Sequence, residues 1–249
     1  MASMPEYTAL SSLGSDNVES VVSSFTAPTL RALEENSNDT KPAENALWNA
    51  WNALIKKASE TPHGNQEALV TFITTLRSKS EGEGEKLEGG ELWKDLPGFG
   101  MAMRDAWNTA PEGPLPAYVN LAAFVARLTA QESGSALDFS VLGLWTLRFA
   151  FEADSSETTP KDPSAAAAFL AYAAPAFAKL SREGKDLDGK SGKAGEGCKK
   201  DGVGENWRGF NKERWTRWIA KLNDAPVEDA DSELVQMARE KTQDYAKLE

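Results

Sequence analysis

Residues 139–153 read Phe-Ser-Val-Leu-Gly-Leu-Trp-Thr-Leu-Arg-Phe-Ala-Phe-Glu-Ala, and only Arg148 and Glu152 among them carry charge. Wound at 3.6 residues per turn, this stretch is apolar on nearly every side, which predicts a buried central helix surrounded by others. It is too short to cross a bilayer, which takes about 18 to 20 apolar residues. Arg148 and Glu152 lie one helical turn apart, so they can pair with each other on the side that also carries Val141 and Trp145.

Working outward, the flanking segments keep the helical period. Leu121, Phe124, Val125 and Leu128 form a stripe over 117–131, with Asn120 and Arg127 on one flank beside Phe124. Downstream, 164–182 is an Ala-rich helix with a kink expected at Pro175. Phe210, Arg214, Trp215, Trp218, Ile219 and Leu222 mark another helix, and Leu234, Met237, Ala238 and Tyr245 a last one. Upstream, Asp16 and Glu19 resemble a capping box ahead of Val18, Val21, Val22 and Phe25. Leu47, Trp51, Leu54, Ile55 and Ala58 follow Pro42. The turn at Thr61–Gly64 then returns the chain through Leu69, Phe72, Ile73 and Leu76, and a shorter helix carries Phe99, Met103, Ala106 and Trp107.

No stretch alternates apolar and polar residues with β-branched enrichment over five or more positions. The sequence therefore predicts an all-α fold, a single-domain bundle of about eight helices around 139–153 that spans residues 4–247. Two segments are expected to be flexible loops: the Gly- and Glu-rich 80–90, and 183–206, whose Gly, Lys, Asp and Glu look too polar to pack. Residues 1–3, ahead of Met4, and 248–249 read as additions to a natural chain.

Composition removes several classes of function. With 38 acidic residues against 27 basic ones the net charge is −11, and no basic run is dense enough to attract phosphate polymers or anionic lipid. Neither nucleic acid nor a membrane is an expected partner. The single cysteine, Cys198, cannot form an internal disulfide, and with no signal-like opening the expected location is cytoplasmic. One histidine, His63, in a Pro-His-Gly turn, with a single cysteine, gives no material for a common zinc site or a di-His iron site. Residues 184–191 match the phosphate-loop pattern G-x-x-x-x-G-K-[ST] in letters. That motif works between a strand and a helix, however, and here a helix precedes it and a Gly-rich tract follows. No cofactor is expected.

What remains is aromatic surface and a few charges. Eight tryptophans, Trp48, Trp51, Trp93, Trp107, Trp145, Trp207, Trp215 and Trp218, are either core or the walls of an apolar cage. Arg148 and Glu152 are either a structural bridge reaching Asn120 and Arg127, or a polar spot on a pocket wall. In the second case Glu152 is the proton acceptor, Arg148 and Arg127 are donors to a substrate oxygen, and Asn120, Trp145, Phe124, Trp93 and Trp107 bind substrate.

The spacing of Leu92-Trp93-Lys94-Asp95-Leu96-Pro97, Tyr118-Val119-Asn120-Leu121, Phe124-Val125-Ala126-Arg127-Leu128 and Leu147-Arg148 to Glu152 resembles an all-helical family of filamentous fungi known as a domain of unknown function. The resemblance covers roughly residues 42–245. It implies a fungal source and a helical fold, and it supplies no activity, cofactor or catalytic residue. Two functions fit the residues. One is a cofactor-free enzyme of fungal specialised metabolism: an isomerase, dehydratase or cyclase, pericyclic steps included, acting on a largely apolar small molecule by orientation and fixed electrostatics. The alternative is a non-catalytic helical protein that binds a ligand or a protein partner. The residues leave open whether chemistry occurs.

Overall fold

The structure, a computed structural model, describes residues 4–36, 38–79, 84–131, 136–154, 163–225 and 232–248. These residues form eleven α-helices and one two-stranded hairpin, an all-α architecture with three more helices than the eight expected. The additions include two short ones, α1 (Pro5–Ser11) and α9 (Glu196–Lys200), that carry too few apolar residues for a periodicity to show. No helix among the described residues is long and apolar enough to cross a membrane. The chain divides into two compact units, residues 1–124 and 125–249.

In the first unit α1 packs on α2 (Val18–Glu35) and α3 (Lys41–Glu60), α2 also meets α4 (Glu67–Arg77), and α3 meets α5 (Phe99–Thr109). The expected capping box does not form. Asn17 is the N-cap of α2, and its side-chain oxygen accepts from Gly14 N at 2.8 Å instead. Aromatic rings hold the centre: Phe25 stands edge-on to Phe72 at 5.0 Å, and Trp51 lies 6.1 Å from Trp93 and 5.1 Å from Phe99. Between α4 and α5, β1 (Lys86–Leu87) pairs antiparallel with β2 (Gly90–Glu91), so the second half of the expected loop 80–90 is a tight hairpin. Residues 80–83 of that loop lie outside the described residues.

The division falls within α6 (Leu115–Gln131). In the second unit α8 (Ser164–Glu183) is the hub, packing on α7 (Ser140–Phe151), α10 (Lys212–Asp224) and α11 (Ser232–Gln243). Small residues allow the approach. A Cβ on Gly143 would sit 2.3 Å from Phe177 Cζ and 2.8 Å from Phe169 Cδ1, so α7 and α8 meet where α7 has no side chain. The kink in α8 is at Ala173, with φ −132° and ψ 16°, two residues before Pro175. Proline has no N–H for the carbonyl four residues earlier and crowds the turn before it.

Two expectations are corrected in this unit. The helix of 139–153 is a wall of the bundle, not its buried centre: Phe149 is 52% exposed, and Val141, Trp145, Arg148 and Ala150 are half-buried. Apolar composition on all sides did not translate into neighbours on all sides. The segment 183–206 is folded onto the bundle, with Gly192, Ala194, Gly197 and Cys198 buried and Asp186 bridged to Gly209. Its glycines, which suggested disorder, are what let its backbone approach α7.

Candidate functional site

The site is built at the C-terminal end of α7, where Glu152 is the C-cap residue and 0% exposed. Its Oε1 accepts from Arg214 Nε at 2.6 Å and Trp218 Nε1 at 2.7 Å, while its Oε2 accepts from Gly195 N at 2.7 Å and Arg214 Nη2 at 3.0 Å. Four N–H groups thus fill the roughly four lone-pair directions of a carboxylate. The arginine edge meets it side-on with two donors, the strongest geometry for such a pair.

Arg214 lies on α10 and is itself 0% exposed. Beyond Glu152 it donates Nη1 to Gly192 O and Gly209 O, each at 2.8 Å, and Nη2 to Lys193 O at 3.1 Å. Its guanidinium also lies over the rings of Trp218 at 5.3 Å and Trp207 at 5.5 Å. One buried cation therefore gathers α7, α10 and both ends of the 192–209 segment.

Close backbone approach makes this possible. A Cβ on Gly195 would fall 2.5 Å from Glu152 O, and one on Gly197 would fall 2.1 Å from Ala153 O. Gly197 N donates to Glu152 O at 3.0 Å, which gives the end of α7 a backbone partner in place of the next helical turn. Behind the segment, Ala194, Cys198 and Trp207 form a small apolar cluster. Burial, aided by the nearby Glu152 carboxylate, pushes the Cys198 thiol up to about 11.

The pairing of Arg148 with Glu152 that the spacing allows is not formed. Arg148 turns its Nη1 to the carbonyls of Ser191 and Lys193, each at 3.2 Å, and of Lys190 at 3.4 Å. Its pKa is lowered by burial and by the Arg214 charge, with the Glu152 charge opposing. Trp145 converges on the same place, donating Nε1 to Ser191 O at 3.3 Å. Glu152, Arg148 and Trp145 are thus brought together around 190–195.

The other predicted residues have separate roles. Asn120 braces the turn between α3 and α4: its Oδ1 accepts from His63 N at 2.9 Å, its Nδ2 donates to Ser59 O at 3.0 Å, and its carbonyl accepts from Gln66 Nε2 at 2.8 Å. Both ends of its amide are engaged there. Arg127 holds its guanidinium 3.9 Å from the Tyr172 ring centre. Trp93 and Phe124 are 0% exposed, and Trp107, 5% exposed, stands edge-on to Tyr118 at 5.4 Å. These three are core residues of the first unit. That unit also carries a surface hollow of about 490 Å³ whose polar lining, Ser15 to Ser20 with Thr71 and Thr75, includes none of the predicted residues.

Sequence reasoning placed Arg214 and Trp218 on their helix without assigning them to Glu152, and it missed the three glycines 192, 195 and 197. A signal was present for Arg214: it shares an i, i+4, i+8 face with Trp218 and Leu222, and a charge on such a face calls for a buried counter-charge.

A model of the family described as "protein of unknown function (DUF3632)" matches residues 51–222, more than half of the chain. No curated protein and no solved structure matches it.

Proposed function

The chain belongs to the DUF3632 family, and from that premise we propose that it is a non-catalytic helical binding protein in which Glu152 and Arg214 are a structural clasp rather than an acid–base pair. The observation that carries this reading is the Glu152 carboxylate, 0% exposed and holding four donors at 2.6 to 3.0 Å. A general base must turn a lone pair towards the proton it takes, and these directions are occupied. The core packing of Trp93 and Trp107 against other rings supports the same reading, because an aromatic cage needs faces turned to a ligand. A fungal source and a cytoplasmic location, both expected from the sequence, go with this proposal.

The rival reading is the cofactor-free isomerase, dehydratase or cyclase, and Glu152→Gln separates the two. The amide keeps the volume but removes the charge and aims an NH2 at arginine. For a clasp, chemical denaturation shows a loss of about 3 to 5 kcal/mol, as for other broken buried pairs, and amides of 192–209 lose exchange protection. A Glu152→Gln protein with native stability and native protection that has lost turnover of an apolar metabolite would overturn the proposal.

A further inference from the structure

Arg148, Lys190 and Lys193 form a cationic spot in which no side chain makes an ion pair among the described residues. Glu152, the acid closest to Arg148 in the helix, is committed to Arg214. No carboxylate among the described residues pairs with Arg148, and no acceptor among them meets its Nε or Nη2. The side chains of Lys190 and Lys193 are exposed, and their backbone carbonyls accept from the Arg148 guanidinium, so both lysines are rooted beside it and their side chains can reach the same surface. Lys199 and Lys200 in the same segment differ, for they pair with Glu196 and Asp154. Beside the spot lies apolar surface: Phe149 is 52% exposed, and Trp145, one turn before it, is half-buried with its indole N–H on the Ser191 carbonyl that also holds Arg148.

We propose that this spot docks an acidic segment of a protein partner, with a carboxylate on the open edge of Arg148 and Lys190 and Lys193 flanking it, and an apolar side chain of the partner on Phe149 and Trp145. The proposal rests on the binding-protein reading above and names its partner. A planar guanidinium edge whose two donors meet no acceptor among the described residues matches a carboxylate side-on. The surface is open, which suits an extended protein segment that brings its own charge and anchor, whereas a small molecule is held by enclosing walls. The net charge of −11 opposes any anion at long range. Screening over about 8 Å at physiological salt lets the local cations decide for a segment of a few carboxylates, but not for a long phosphate polymer.

The test is fluorescence anisotropy with a fluorescein-labelled peptide alternating Asp or Glu with Leu and Phe, against its Asn and Gln counterpart, at low and physiological salt. The acidic peptide is expected to bind, more weakly as salt rises. The exposed double substitution Lys190→Glu with Lys193→Glu, which removes no packed group, is expected to weaken it about tenfold or more. Phe149→Ser is expected to weaken it without changing the salt dependence. Absence of binding, equal binding of the neutral peptide, or indifference to the Lys190 and Lys193 changes overturns the proposal. So does a dimer in sedimentation velocity that the double substitution dissolves, since the occupant would then be a second copy of the chain. None of these outcomes bears on the clasp, which is read separately from the stability of Glu152→Gln.

Discussion

Glu6 is 3% exposed in the first turn of α1, and burial raises its pKa above the ordinary carboxylate value, opposed by a hydrogen bond from its own backbone amide. The folded chain therefore binds a proton there more tightly than the unfolded chain. Stability from this group is present below the unfolded pKa and declines as pH rises through the window up to the folded pKa. Glu6→Gln mimics the protonated form. Melts of wild type and Glu6→Gln across pH 4 to 7 are expected to show the variant gaining on the wild type as pH rises; a constant difference would sink the assignment. Glu152 is the contrasting case, a buried carboxylate whose two oxygens meet four N–H donors. Its importance was legible in the sequence, because a charge at the end of an apolar helix needs a partner. The identity of that partner was not: helical spacing pointed to Arg148, four residues away, while the arginine that binds it lies 62 residues on. Local periodicity names neighbours along one helix and is silent about the side chain a second helix delivers.

At the scale of elements, α7 and α8 approach closely where Gly143 faces Phe169 and Phe177, whose rings stack at 5.7 Å. A methyl at Gly143 has no room unless the Phe177 ring moves. Gly143→Ala is expected to destabilise by about 1 to 3 kcal/mol through overpacking, outweighing the few tenths to 1 kcal/mol that alanine gains over glycine inside a helix. Urea denaturation decides the sign, and a stabilised variant would show that the ring yields freely. The long helices were legible for the same reason that this contact exists: repeating apolar stripes such as Leu47, Trp51, Leu54 and Ala58 must be buried, and they are. The 183–206 segment was not, since composition rated glycine and lysine as unable to pack. Its order comes from backbone carbonyls on Arg214 and from glycines against Glu152 and Ala153, and neither leaves an apolar pattern to read. The exposed side of α7 was misread for the opposite reason, its Phe149 being apolar yet turned to solvent.

For the whole molecule, the question the clasp raises is whether the 192–209 segment opens alone or only when the chain unfolds. Cys198 is the reporter, being the one cysteine in the sequence, 0% exposed and packed with Ala194 and Trp207. With its thiol pushed up to about 11, it is protonated as well as buried at pH 8, so a disulfide reagent must wait for an opening that exposes it and restores ordinary acidity. Stability is not uniform across a fold, and a stretch held by one cation and few apolar side chains belongs to its low end. Labelling of the wild type in native buffer is therefore expected to outpace global unfolding extrapolated from denaturant. Gly197→Ala drives a Cβ into the Ala153 carbonyl, and it is expected to speed labelling about tenfold or more beyond its effect on global unfolding. Gly143→Ala strains the α7–α8 contact instead, and its labelling should rise only in step with global instability. If wild type and both variants label at their global unfolding rates, the segment is no separable latch, and the clasp is one more part of a single cooperative core.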